Sequence, residues 1–195
     1  YRVSVRLFST SSIKVVADDA TNFSQVRTLP VGASERAVLG SDGAYAAGNT
    51  DVDMYKFVAT SSGYLTVHAD GFESFSADTF LRLFDSGGKE IAFNDNRSAE
   101  ARGSTVGAAL KKGKTYFVGV SGAGVNPRAY NPKKTGGAAP GSTGSYEISA
   151  TFDAPPTMTV VSALSTADAG LPFTITYDML AGAANEADPE GGAVS

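Results

Sequence analysis

The chain has 195 residues, a formal net charge of −4, only 18% charged residues and no cysteine. A chain of this length can bury a core in one or two domains, and without a basic stripe it does not favour nucleic acid as a partner. One histidine and no cysteine exclude Cys/His catalysis and zinc sites. The apolar runs are too short to span a bilayer, so we expect no membrane insertion.

Short alternating segments separated by glycine-rich turns run through most of the chain. Strands are predicted by this alternation at 2–8, 13–16, 36–39, 52–59, 64–69, 79–84, 90–93, 104–110, 115–121 and 144–152. The turns at 61–63, 85–88 and 111–114 contain glycine, which accepts positive φ, and they predict hairpins. Repeated short strands without a helical pattern predict an all-β fold, an antiparallel sandwich.

The segment Asp51-Val-Asp-Met-Tyr-Lys-Phe57 is a strand with two carboxylates at its start. Period two places Asp53, Tyr55 and Phe57 on one face. Asp51 and Asp53 lie where a loop feeds the sheet, and hard cations such as calcium take carboxylate and backbone oxygens as ligands. The alternative is a solvated strand start in which the two aspartates only shape the turn.

A second oxygen-rich cluster is predicted at the end of the 79–93 hairpin that lies opposite the 85–88 turn. If the flanking strands pair as a hairpin, Asn94 and Asp95 face Asp78. This arrangement also suits calcium. The alternative is that these side chains cap turns through bonds to the backbone.

The tail differs from the middle of the chain. Asp153-Ala-Pro-Pro156 predicts a linker, because two prolines end a strand ladder. Strands are predicted at 158–162 and 173–176, a short helix within 177–187, and a strand beginning at 193–195. About 40 residues do not easily bury a core alone, so we expect this tail to need a partner. The predicted division is 1–16, 17–153 and 154–195.

Residues 17–153 resemble the bacterial pre-peptidase C-terminal domain. The resemblance is carried by 51–57, Gly63-Tyr-Leu-Thr-Val67, Asp78-Thr-Phe-Leu-Arg-Leu-Phe-Asp85, Ile91-Ala-Phe-Asn-Asp-Asn96, Gly113-Lys-Thr-Tyr-Phe-Val-Gly-Val120 and Gly141-Ser-Thr-Gly-Ser-Tyr-Glu-Ile148. It implies a jelly-roll-like β-sandwich without catalytic activity, attached to secreted enzymes and surface proteins. It therefore implies a secreted or cell-surface location in a bacterium.

The resemblance also implies where calcium would bind. In such domains the ion lies between an acidic segment ahead of the sandwich and the start of the 51–57 strand. The matching positions are Asp18, Asp19, Asn22, Asp51 and Asp53. Relatives often carry Glu in the acidic segment, whereas this chain has none between 17 and 22.

The tail resembles the opening of a cadherin-like tandem extracellular repeat, on Leu171-Pro-Phe-Thr-Ile-Thr-Tyr177 and Ala183-Ala-Asn-Glu-Ala-Asp188. Read tail to head, 191–195 followed by 1–5 forms one continuous alternating strand. We therefore expect a head-to-tail array, in which the partner is another copy of the chain. The copies either repeat covalently or exchange a strand. The alternative is that 1–8 is simply the first strand of the sandwich.

The leading hypothesis is a calcium-stabilised, non-catalytic structural or adhesive module of an extracellular protein. The alternative is an accessory domain that binds extracellular matrix fibres or polysaccharide through exposed aromatics. The candidate aromatics are Tyr64, Phe72, Phe75, Phe80 and Phe84. Alternation places His68 with Tyr64 and Thr66 on the solvent side. No nucleophile elbow or P-loop pattern is present, and no catalytic constellation is predicted.

Overall fold

The computed structural model describes residues 23–24, 26–40, 48–72, 74, 76–98, 102–134 and 137–155, and the backbone of 157–161 and 184–187. The predicted strands at 2–8, 13–16, 173–176 and 193–195 lie outside these residues. So does the acidic segment 17–22.

The described residues form a two-layer β-sandwich, which confirms the predicted fold class. One sheet has five strands in the order β1 (Arg27–Thr28), β3 (Val52–Val58), β8 (Thr115–Gly122), β5 (Thr79–Asp85) and β6 (Glu90–Asn94). The other has four, in the order β2 (Ser34–Leu39), β9 (Gly144–Asp153), β4 (Gly63–Gly71) and β7 (Ser104–Leu110). The strands predicted between 36 and 152 agree with the observed ones to within two residues.

Pairing between the named strands of the sandwich is antiparallel except for β1, which runs parallel to β3 over two residues. The 85–88 turn forms the predicted β5–β6 hairpin. The hairpin predictions for 61–63 and 111–114 are wrong, because these turns connect strands in different sheets. Glycine allows the chain to reverse but does not choose the partner strand. β3 and β8 pair with each other in the five-stranded sheet, where much of each strand is buried.

The sandwich has two apolar layers. The main core lies between the sheets and includes Tyr55, Leu65, Leu81 and Ile148. A second cluster lies on the outer side of the five-stranded sheet, and we call this side the covered face. Its buried members are Val52, Met54, Phe84, Phe117, Tyr130 and Ala138. The last two belong to the long loop 123–143, which therefore packs over this sheet.

The tail contains a separate antiparallel pair, β10 (Thr157–Val161) and β11 (Ala184–Ala187). The strand predicted at 158–162 is confirmed within one residue. The helix predicted for 177–187 is wrong over 184–187, where pairing with β10 overrides the helix propensity of the two alanines. Residues 177–183 lie outside the described part. Among the residues that the structure describes, no helix is long and apolar enough to cross a membrane.

Candidate functional site

Asp53 is fully buried between the two sheets, so the solvated-start alternative is wrong for this residue. Tyr146 donates a hydrogen bond to Asp53 Oδ2 at 2.6 Å. The hydroxyls of Tyr55 and Tyr146 lie 2.9 Å apart. Arg27 Nη2 lies 3.7 Å from Asp53 Oδ1. Asp53 and Tyr55 therefore share the inward face, as period two predicted, and they meet β9 there.

The two tyrosines in this network keep their protons. Burial raises the pKa of Tyr146, and the nearby Asp53 carboxylate raises it further. Burial also raises the pKa of Tyr55, again with a contribution from Asp53. Tyr146 can therefore serve as a permanent donor to the carboxylate. The arrangement holds one buried negative charge with one guanidinium and one hydroxyl, which is how buried carboxylates are usually stabilised.

Asp51 has a different contact. It is 4% exposed, and its Oδ2 accepts the Gly40 N–H at 2.7 Å. Gly40 directly follows β2, so Asp51 joins the start of β3 to the end of a strand in the other sheet. Its role in the described contacts is to connect the two layers.

Calcium at the start of β3 stays a prediction. The donors around Asp53 are a poor fit to this ion, because Tyr146 already donates to Oδ2 and the Arg27 cation lies beside Oδ1. Calcium binds carboxylate oxygens at about 2.3–2.6 Å and would have to displace these groups. Asp18, Asp19 and Asn22 lie outside the described residues.

The second predicted cluster is brought together only in part: the Asp95 charge acts on Asp78, whereas Asn94 pairs with Leu81, three residues along β5 from Asp78. Burial and the Asp95 charge raise the pKa of Asp78, while Arg102 opposes them. Asp78 Oδ1 is buried and has no hydrogen-bond partner among the described residues. These two carboxylates suit a cation better than Asp53 does.

Asn94 makes a side-chain to backbone bond, as the alternative predicted, but to a neighbouring strand and not to a turn. Asn94 Oδ1 accepts the Thr105 N–H at 3.2 Å and so connects β6 to β7. Within the described part of the chain, no group of three or more His, Cys, Asp or Glu side chains is close enough to hold a metal ion. A calcium site at Asp78 and Asp95 would need further oxygens, and it stays a prediction.

Arg82 is a buried charge on the covered face that the sequence reasoning missed. It is 7% exposed. Its Nε donates to Glu90 Oε2 at 2.6 Å, and its Nη1 donates to the Tyr130 carbonyl at 3.0 Å. The guanidinium also lies 4.4 Å from the Tyr130 ring centre. Arg82 thus fixes the long loop on the sheet. The available signal was one arginine in the middle of an otherwise apolar strand.

The outer side of the four-stranded sheet carries Tyr64, Thr66 and His68, and we call it the open face. Leu65, Val67 and Ala69 point inward and are buried, so the predicted alternation of β4 is confirmed. His68 Nδ1 shares a hydrogen bond of 2.8 Å with Thr105 Oγ1. Partial burial and the Arg97 charge lower the pKa of His68.

Tyr64 packs beside Gly107 on the open face. It is 49% exposed, and a Cβ at Gly107 would come within 2.7 Å of its Cε1. The ring therefore occupies the space above Gly107 that a larger residue would fill, while about half of its surface faces solvent. An open depression of about 410 Å³ lies on the neighbouring strand, where Asp153 pairs with Tyr64. It is lined by Val31, Gly32, Thr151, Phe152 and Asp153.

The other candidate aromatics are less accessible than Tyr64. Phe80 and Phe84 are buried, and Phe75 lies outside the described residues. Phe72 is partly buried, with the Arg36 guanidinium 3.6 Å above its ring. Phe93, which the sequence reasoning did not single out, is 49% exposed at the edge of the other sheet.

No protein-family model and no curated protein sequence matches this chain. Among solved structures it is similar to the pre-peptidase C-terminal domain of a collagenase from Bacillus anthracis, with 14% identity over 64% of this chain and 93% of that chain, and a TM-score of 0.42. It is also similar to PliG of Aeromonas hydrophila, a periplasmic inhibitor of g-type lysozyme, with 18% identity, coverages of 64% and 96%, and a TM-score of 0.36.

A third similar structure is a family 35 carbohydrate binding module from Clostridium thermocellum. It shares 13% identity over 62% of this chain and 94% of that chain, with a TM-score of 0.32. Similarity at this level assigns no function, so the function has to be argued from the residues of this chain.

Proposed function

We propose that the chain is a non-catalytic adhesive module of a secreted or cell-surface protein, and that it binds its ligand through the open face. The observation that carries this proposal is the position of Tyr64, half exposed and packed against Gly107. A half-exposed tyrosine offers a large contact area and a hydroxyl at low entropic cost. The depression beside Asp153 adds a concave border to this surface.

The buried charges support a structural rather than a catalytic role for the interior. Asp53 is held by Tyr146 and Arg27, and Arg82 is held by Glu90 and the Tyr130 carbonyl. Both groups of contacts join segments that are distant in the chain. The Asp53 contacts lie between the sheets and the Arg82 contacts lie on the covered face, so neither is on the open face. Ligand contact is therefore assigned to the surface.

Co-sedimentation with insoluble collagen and insoluble polysaccharides tests the proposal. We expect the chain to sediment with at least one of these solids, and Tyr64→Ala to weaken binding about tenfold, as truncating a central aromatic contact does. Phe93→Ala is the matched control, because Phe93 is equally exposed on the other sheet. Binding that does not change in Tyr64→Ala would remove the open face from the proposal.

Head-to-tail association of copies is a second part of the proposed function. It is supported by the β10–β11 pair, since two strands are marginally stable in water without further strands or a packed layer. The alternating segment 2–8 is the proposed additional strand. Size-exclusion chromatography with light scattering should show concentration-dependent oligomers that removal of 2–8 abolishes. A stable monomer with both ends protected from proteolysis would contradict this assembly.

Calcium binding is proposed for Asp78 and Asp95, where repulsion between two carboxylates and a buried oxygen without a partner favour a cation. An ion that binds only the folded state adds about 2.7 kcal/mol at a hundredfold excess over Kd. Thermal melting with calcium and with chelator measures this. We expect a shift that Asp78→Asn removes, and an unchanged midpoint in the original chain would exclude a stabilising calcium site.

A further inference from the structure

A cluster of positive charge borders Tyr64. The β7–β8 connection carries Lys111, Lys112 and Lys114, all exposed, in a chain whose net charge is −4. Cross-strand pairing places Tyr64 opposite Ala109, only two residues before Lys111. At about 3.3 Å per residue, Lys111 lies about 7 Å along the strand from Ala109. We call these three residues the lysine turn.

The backbone of the lysine turn is fixed. Lys112 N–H donates to Ser62 Oγ at 3.2 Å, which holds the turn against the connection that leads into Tyr64. Gly113 N–H donates to the Ala59 carbonyl at 2.7 Å, and Ala59 N–H donates to the Lys114 carbonyl at 3.0 Å. The lysines therefore start from a defined position beside the aromatic ring.

The charges of this turn are available to a ligand. Among the described residues, none of its three lysines forms an ion pair with a carboxylate. The nearby acidic group on the open face is Asp153. It lies opposite Tyr64 on β9, on the side of β4 away from β7. The site thus has a positive border toward β7 and a single carboxylate toward β9. Local positive charge on an acidic protein attracts anions to that place.

We propose that Tyr64 and the lysine turn form one binding site for an acidic polysaccharide. This inference rests on the proposed adhesive function and names its ligand class. A sugar ring stacks through its C–H face on Tyr64, its carboxylates pair with the lysines, and its hydroxyls bond to Thr66, Thr151 and Asp153. Asp153 lies opposite Tyr64 on β9. Thr66 is two residues from Tyr64 on β4, and Thr151 lies opposite Thr66.

The chemistry favours a glycan over other polyanions. Thr66, Thr151 and Asp153 supply hydroxyl and carboxylate oxygens, which suit a ligand rich in hydroxyl groups. Lysines act as point charges that pair with carboxylate and phosphate alike, so the hydroxyl-binding oxygens of these three residues, and not the lysines, favour a glycan. Three lysines also fall short of the basic stripe expected for nucleic acid.

Affinity electrophoresis and isothermal titration calorimetry of the full chain test this assignment. The probes are polygalacturonate as the acidic glycan, dextran as the neutral glycan, soluble collagen, and polyglutamate as an acidic peptide. We expect tight binding to polygalacturonate that weakens with salt, and weaker binding to the other three. The variant K111Q/K112Q/K114Q should lose about tenfold in affinity and most of the salt dependence.

Controls separate the site from general charge and from folding defects. Lys133→Gln/Lys134→Gln removes two exposed lysines of the long loop and should leave binding unchanged. Tyr64→Phe keeps the stacking ring and should retain most of the affinity that Tyr64→Ala loses. Circular dichroism and the melting midpoint of each variant report whether it is folded.

The outcomes distinguish this inference from the proposed function. Equal binding of dextran or collagen, with loss in Tyr64→Ala and no effect of the lysine variant, overturns the acidic glycan but leaves the adhesive open face. Equal binding of polyglutamate overturns the glycan in favour of an acidic peptide. If no probe binds, and the chain also stays in solution when the insoluble matrices are sedimented, both the inference and the proposed function are overturned.

Discussion

The two sheets of this sandwich treat their outer sides in opposite ways. On the covered face, the long loop packs over Met54, Phe84 and Phe117, and Arg82 is buried with it. On the open face, Tyr64 remains half exposed. Among the described residues, the His68 ring forms a hydrogen bond only with the Thr105 hydroxyl. A single fold thus buries one outer side under a loop and leaves the other partly exposed to solvent.

The comparison is sharpest in two arginines that have the same types of partner. Arg82 binds Glu90 at 2.6 Å and lies over the rings of Phe84 and Tyr130. Arg36 binds Glu147 at 3.1 Å and lies over Phe72, but its side chain is 59% exposed. Because water screens the second pair and competes for its hydrogen bonds, equal contacts have unequal energetic value.

The largest expected effect is therefore on the covered face. Arg82→Met keeps an apolar stem but removes the charge beside Glu90 and the donor to the Tyr130 carbonyl, and we expect a loss of about 3 kcal/mol in the free energy of unfolding. Arg36→Met should cost less than about 1 kcal/mol. Urea denaturation of both variants measures the difference. Equal losses would show that the loop does not make the covered face a low-dielectric environment.

The core between the two faces gives the second test. Tyr146→Phe leaves the buried Asp53 Oδ2 without its hydroxyl donor, which we expect to cost about 2 kcal/mol. Tyr55→Phe is the control, because Tyr146 can still donate to Asp53, and it should cost about 1 kcal/mol.

Both tyrosine variants are compared by urea denaturation at pH 7, below the raised pKa values of these hydroxyls. A larger loss in Tyr55→Phe than in Tyr146→Phe would show that Tyr55, and not the carboxylate contact, governs the stability of the network.

Alternation predicted the strands and the face that Asp53 shares with Tyr55, because these depend on residues next to each other in the chain. It did not predict the partners of Asp53, since Tyr146 is 93 residues away and both sheets must form before they meet. The acidic doublet therefore indicated a cation site, whereas the described structure supplies Arg27 and a phenol. Contacts of this kind need the topology, which short-range pattern does not contain.

The same limit explains the aromatic candidates. Tyr64 lies on the outer side of its sheet, as alternation predicts, and is exposed. Phe80 and Phe84 also lie on an outer side, but they are buried. Alternation names a side of a sheet and does not say whether a loop covers it. Nothing in the glycine-rich composition of 123–143 showed that Tyr130 would pack there.

Two glycines provide an intermediate effect that compares the faces directly. A Cβ at Gly119 would collide with the Tyr130 hydroxyl in the covered face, where the buried ring has no room to withdraw. Gly119→Ala should therefore cost about 1–3 kcal/mol. Gly107→Ala meets the Tyr64 ring, which can swing into solvent, so stability should change by less than about 1 kcal/mol while binding through the open face weakens.

Melting and ligand binding of the two glycine variants are measured together. The expected result is a crossed pattern, in which Gly119→Ala lowers stability and Gly107→Ala lowers affinity. If Gly107→Ala binds as tightly as the original chain, then the packing of Tyr64 against Gly107 is not needed for the interaction.

The smallest effect concerns the pH response of the open face. Because the pKa of His68 is lowered by partial burial and by Arg97, the unfolded chain takes up this proton at a higher pH than the folded chain. The folded state is thus favoured fully above the unfolded pKa near 6.5, and stability is lost as the pH falls through that value toward the folded pKa. His68→Gln removes this dependence.

The stability difference between the original chain and His68→Gln should accordingly shrink or reverse in sign as the pH falls from 7.5 to 5. Asp78, whose raised pKa acts in the opposite direction, is present in both proteins and cancels in the difference. A difference that is constant over this range would mean that His68 is as well solvated in the folded chain as in the unfolded one. The open face would then be more exposed than the contact between His68 and Thr105 indicates. The difference in solvent exposure between the open and covered faces would be larger still.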